Sequence, residues 1–97
     1  MTVEQITAEI EQFVCESFAI RADDPGFHRD VDVFEAGYVD SVGLVEILAF
    51  VDSRFAVEIA EDDLLSEEFS TLSGMGRIVH RTRAGLTAGP APASTRA

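Results

Sequence analysis

The stretch Phe34-Glu35-Ala36-Gly37-Tyr38-Val39-Asp40-Ser41-Val42-Gly43-Leu44-Val45-Glu46-Ile47-Leu48 holds the sharpest change of pattern in this 97-residue chain. From Phe34 to Val39 the residues follow no period; from Ser41 onward apolar side chains recur at helical spacing. Asp40-Ser41 stands at the junction. Short oxygen-bearing side chains are favoured there because they accept hydrogen bonds from amides that a helix leaves unpaired in its first turn. Ser41 to Phe55 is therefore predicted as a helix. Val42, Val45, Leu48, Val51, Asp52 and Phe55 trace its i, i+3, i+4 path, with Leu44 and Ile47 widening the apolar stripe. So wide a stripe predicts burial over more than one face and a central place in the fold.

Upstream, Thr2-Val3-Glu4-Gln5 has the spacing of a capping box and opens a helix expected to run to about Ile20. Val3, Ile6, Ile10, Phe13, Val14 and Ser17 fall on its inner face. Asp23-Asp24-Pro25-Gly26 ends it. A long loop follows to about Asp40, ordered by Phe27, Val31, Val33 and Phe34 packing over the core. Downstream, residues 56–60 read as extended and Glu61 to Leu65 as one helical turn with acids at its favourable end. A last helix begins near Ser70-Thr71 and turns Leu72, Met75, Ile78 and Val79 inward. Its Gly74 and Gly76 mark either close packing or a weak helix. The expectation is an all-α four-helix bundle over residues 1–84, with a long first loop and a short third helix. From residue 85 the Pro- and Ala-rich sequence predicts a disordered tail through residue 97.

The chain is strongly acidic, with a formal net charge of −11 and no lysine. All 18 acids precede residue 70, where the only bases are Arg21, Arg29 and Arg54. Nucleic acid is excluded as a partner, since binding it needs clustered bases. The acidic field instead suits partners with basic surfaces. The longest apolar runs fall far short of the roughly 20 residues that span a membrane. Met1-Thr2-Val3-Glu4 has neither the basic region nor the apolar core of a signal, so the expected compartment is the cytoplasm. Cys15 is the single cysteine, which excludes an internal disulfide; no His/Cys pattern has zinc spacing. Cys15 lies off the apolar stripe and has no basic neighbour to activate it.

Gly37, Asp40, Ser41 and Val42 match, position by position, the phosphopantetheine-attachment region of acyl carrier proteins, and from residue 3 to residue 83 the chain resembles that family. The resemblance implies an acyl-carrier-like fold and a carrier that is not itself an enzyme. It implies a 4'-phosphopantetheine arm placed on Ser41 by a phosphopantetheinyl transferase using coenzyme A, and a cargo held as a thioester on the arm's thiol. It gives Asp40 to the surface read by the transferase and Val42, Glu46, Ala49 and Asp52 to the docking face. Partners would be an acyl-loading enzyme and downstream synthase or tailoring enzymes with basic docking surfaces, meeting a monomeric carrier. Gly37 either supplies a backbone geometry that the approach to Ser41 requires or is a plain loop glycine. Two departures, Gly43 and Ser53 where acids are frequent, thin the negative patch.

Tyr38-Val39-Asp40-Ser41 lacks the Gly-Gly-x-Ser pattern of peptidyl carriers and is similar to free-standing acyl carriers of polyketide and other natural-product pathways. D-alanyl carrier proteins share the Gly-x-x-Asp-Ser core, so an aminoacyl cargo stays open, as does an unmodified acidic interaction module. The Met1-Thr2-Val3-Glu4 start favours a stand-alone protein, and the tail is equally compatible with an interdomain linker. A serine hydrolase with His28 or His80 as base fails for want of a Gly-rich oxyanion element or a nucleophile elbow around Ser41. A calcium loop at Asp30-Val31-Asp32 fails because Phe34 and Glu35 stand where an oxygen ligand and a glycine are needed.

Overall fold

In the structure, a computed structural model describing residues 1–21 and 23–85, the chain forms α1 (Val3–Ser17), α2 (Ser41–Phe55), α3 (Glu61–Leu64), a 3-10 turn (Glu67–Ser70) and α4 (Leu72–Arg83). No strand occurs among the described residues. The tail expected from residue 85 lies, beyond Gly85, outside them.

The capping box of α1 forms as its spacing predicts. The Thr2 amide donates to Gln5 Oε1 (2.9 Å) and the Gln5 amide to Thr2 Oγ1 (3.1 Å). The helix stops at Ser17 rather than Ile20 because Ala19 takes a left-handed conformation, φ 55°. The Ile20 amide then closes back onto the Cys15 carbonyl at 3.0 Å, which turns Ile20 against the core. Ile6, Thr7, Ile10 and Val14 form the buried face, while Ser17, expected on it, is exposed.

The helices meet in a consistent sense. Phe18 reaches Gly43, Phe13 stacks on Phe50 with centroids 4.3 Å apart, and Arg54 pairs with Glu9, so α1 and α2 are antiparallel. Thr7 lies against Gly76 and Met1 against His80 and Arg83, so α4 also opposes α1. The core joins Ile6, Ile10 and Val14 to Ile47, Val51 and Phe55 of α2, to Leu72, Met75, Ile78 and Val79 of α4, and to Phe69, Val33 and Val39. Each such side chain stabilises the fold by roughly 1.5–3 kcal/mol.

The central helix is α4, not α2 as the apolar width of α2 suggested: α4 packs on α1, on α2 and on the 3-10 turn. Its glycines make that possible. A Cβ on Gly74 would overlap the Glu68 carbonyl, and one on Gly76 would overlap Thr7 Oγ1. Close packing, rather than a weak helix, explains both residues. Thr7 is accommodated at this crossing because its hydroxyl donates to the Val3 carbonyl (2.8 Å).

The long loop is pinned from two sides. Arg29 reaches Glu4 (2.8 Å) and Glu11 (3.0 Å) of α1, while its carbonyl accepts from the Ser73 amide (3.0 Å). The Val33 amide donates to the Ser70 carbonyl (3.0 Å), and the Val33 side chain is fully buried. After α2, Ala56 turns the chain with φ 58°, and residues 57–60 alternate: Val57 and Ile59 inward, Glu58 and Ala60 outward.

Candidate functional site

The turn that delivers Ser41 is built from local hydrogen bonds. Asp32 Oδ1 accepts from the amides of Phe34 (3.0 Å) and Glu35 (2.9 Å), and the Gly37 amide closes onto the Phe34 carbonyl (3.1 Å). Gly37 has φ 88°, yet a Cβ there would meet nothing within 4 Å. The glycine is required by backbone conformation, not by space. The amides of Tyr38 and Val39 both return to the Val33 carbonyl (3.0 Å each), and the Val39 side chain is buried. Tyr38 is held by its hydroxyl, which donates to Asp24 (3.0 Å); burial first, then that carboxylate, raise its pKa.

With Val39 anchored inward, Asp40 and Ser41 emerge at the surface. Asp40 is the N-cap of α2: its Oδ1 accepts from the Gly43 amide at 2.9 Å, and its carbonyl from Leu44 at 2.9 Å. Ser41 is the first helical residue and is exposed. The amides of Ser41 and Val42 have no protein acceptor among the described residues. An anion linked to Ser41 would thus meet two unpaired donors and the positive end of a helix, which fits a phosphodiester.

Val42, Glu46 and Ala49 recur at i, i+4 and i+7 and share the exposed face of α2, with Asp52 further along. The helical period also puts Val42 and Val45 on the buried path, yet both are exposed, at 67% and 64%. The buried seam instead runs through Gly43, Ile47, Val51 and Phe55. Gly43 therefore faces inward, where an added Cβ would lie 2.8 Å from Val39 Cγ1 and 2.9 Å from Phe18 Cε1. Its presence does not thin the acidic patch of this chain, because position 43 is not part of the outer face. Arg54, the one base on α2, turns to Glu9 (2.6 Å) and over the Phe55 ring (5.4 Å). Glu46, Asp52 and Glu58 form no ion pair among the described residues, so the outer face of α2 keeps its negative charge.

Beside this face lies an open groove of about 380 Å³ that sequence reasoning did not foresee. Val45, Leu48, Ala49 and Asp52 of α2 form one wall, and Val57, Glu58, Ile59 and Leu64 the other. Its only sequence signal is the alternation of residues 56–60.

The remaining candidates stay apart from the site. His28 Nδ1 accepts from the Asp30 amide (3.1 Å), a local loop cap. Cys15 has its thiol pKa raised by burial and then by Glu11 and Glu16, the reverse of activation. Among the described residues no group of three His, Cys, Asp or Glu is placed to hold a metal, and no helix is long and apolar enough to cross a membrane.

The family model for the phosphopantetheine attachment site matches residues 5–79, a span that runs from α1 through most of α4 and includes the whole Gly37–Ser41 turn. The chain belongs to this family of phosphopantetheine-bearing carriers. It is similar to the D-alanyl carrier protein of Bacillus velezensis, 28% identical over 71 residues, which span 73% of this chain and 85% of the relative. The D-alanyl carrier protein of Streptococcus suis is 33% identical over 55 residues (53% and 70%), and that of Streptococcus thermophilus 29% over 66 (68% and 80%). No solved structure matches significantly. A carrier of this family bears covalent 4'-phosphopantetheine and interacts with transferases and synthases; it is not an enzyme.

Proposed function

We propose that Ser41 is the attachment serine and that this carrier presents a small activated carboxylic acid as a thioester on the arm. One observation carries the assignment: Ser41 is the exposed first residue of α2, directly after its Asp40 cap, within the span matched by the family model. In the modification step Ser41 Oγ attacks the phosphorus of coenzyme A that bears the pantetheine. A new O–P bond forms, the diphosphate P–O bond breaks, and adenosine bisphosphate leaves while the hydroxyl proton passes to a base of the transferase. The bound arm supplies a thiol for thioester chemistry. Asp40 holds the first turn of the helix, and the acids of α2 bring a basic partner to it.

For the cargo, D-alanine is the first candidate, because the curated relatives carry that name. The groove supports it in a second way: Asp52 and Glu58 at its rim favour the ammonium group that an aminoacyl cargo bears and a malonyl-type acyl group lacks. The natural-product reading rests on the Tyr38-Val39-Asp40-Ser41 resemblance and takes second place. Parallel loading assays decide between them. The holo protein is offered D-alanine with an alanine-adenylating ligase, and separately malonyl and short acyl donors with an acyltransferase; intact mass reads the product. Aminoacylation in clear preference supports the proposal, and exclusive acyl loading contradicts it.

A further inference from the structure

The outer wall of the groove beside α2 is completed by Leu64, which belongs to a segment with little packing of its own. Helix α3 is four residues long, has no side-chain cap and buries none of its residues. Leu65 after it is 78% exposed. Ile59 before it (9% exposed) and Phe69 after it (2%) are buried, and between them Leu64 is the apolar side chain that packs, half-buried, against the core. A helix this short does not hold itself together in water, so something more than one half-buried leucine must hold it in place.

That something is a side chain of α4. Arg81 Nη2 lies 3.2 Å from Asp63 Oδ1 on α3, and its Nη1 lies 3.2 Å from Glu68 Oε1 on the 3-10 turn. Arg77 Nε holds the second oxygen of Glu68 at 2.9 Å. Glu68, braced by two arginines, fixes the direction of the Arg81 guanidinium and turns its Nη2 toward Asp63. Planar guanidinium suits such a bridge, because its donors lie in a fixed fork. We infer that Arg81 is a positioning residue, and that residues 60–66 form a flap, latched to α4 through Arg81–Asp63, whose closure places Leu64 at the end of the groove. The flap stands whether or not Ser41 is modified, so its failure and the failure of the carrier assignment are separable.

Hydrogen exchange on the full-length apo protein tests this. The probes are the amides of Leu64, Leu65 and Ser66, bonded to Ala60, Glu61 and Asp63, set against those of Ile10, Ile47 and Ile78 in the helices. Arg81→Met keeps the apolar stem and loses the fork, and should speed exchange of the flap amides by about two- to fivefold, with the helix amides unchanged. Asp63→Asn, which leaves the Arg81–Glu68–Arg77 cluster intact, should do the same and serves alone if Arg81→Met fails to fold. Flap exchange unchanged in Asp63→Asn, or a rise shared equally by all three helices, overturns the inference.

Discussion

At the scale of single residues, Asp40 has an observed role and a proposed one, and one substitution pair separates them. As N-cap it satisfies the Gly43 amide, and as an acid beside Ser41 it contributes charge that a basic enzyme can read. Asp40→Ala should destabilise by about 0.5–2 kcal/mol, whereas Asp40→Asn should keep most of the cap. Denaturant unfolding reads the first effect, and the rate of Ser41 modification in the Asn variant reads the second. An Asn variant modified at the wild-type rate would leave Asp40 as a cap alone. Both the cap and the exposed serine were legible, because helix-start chemistry is local. The inward direction of Gly43 was not, since it depends on Phe18 and Val39 arriving from other parts of the chain.

At the scale of elements, the bounds of α2 were readable and its rotation was not. With Val42, Leu44, Val45, Ile47, Leu48 and Val51 all apolar, periodicity cannot choose which side faces in. The left-handed closures at Ala19 and Ala56 gave no warning either, because neither is the glycine or asparagine that usually signals a helix end. The α4 glycines invert the usual propensity rule. Gly74→Ala would gain up to about 1 kcal/mol in a free helix, but here the new methyl meets backbone of the 3-10 turn. Net destabilisation of about 1–3 kcal/mol is expected, read by the denaturation midpoint. An Ala variant more stable than wild type would mean the turn can move aside.

The 3-10 turn also carries a pH signature. Hydrogen bonds from Arg81, then Arg77, lower the Glu68 pKa, so its carboxylate is more acidic folded than unfolded. Its contribution is therefore complete above the unfolded value, and is lost as pH falls through the ordinary carboxylate range and down through the folded one. Wild type should exceed Glu68→Gln by up to about 1 kcal/mol at neutral pH, given the partial exposure of the site. The gap should close in acid. A gap that widens in acid would contradict the assignment.

For the whole molecule the decisive quantity is charge and where it is neutralised. Arg29, Arg54, Arg77 and Arg81 are spent on ion pairs that tie the loop, α2 and the flap to the body, leaving the outer face of α2 without a base. Sequence gave the excess of acids, but only the fold shows which of them are left unpaired. Self-repulsion among them predicts a melting temperature that rises with added salt, measurable by calorimetry; a flat profile would count against it. Glu46→Lys with Asp52→Lys should weaken transferase docking, raising KM more than it lowers kcat, and should reduce the dependence of that KM on salt. Unchanged KM would move the docking surface elsewhere.

The central claim is that Ser41 bears the arm, and intact mass tests it most directly. The protein and its Ser41→Ala variant are incubated with coenzyme A and a promiscuous phosphopantetheinyl transferase, beside a carrier known to be modified. The account predicts a gain of one phosphopantetheine on the wild type and none on a folded Ser41→Ala. No gain on the wild type while the control carrier is modified, or an equal gain on the variant, would contradict it.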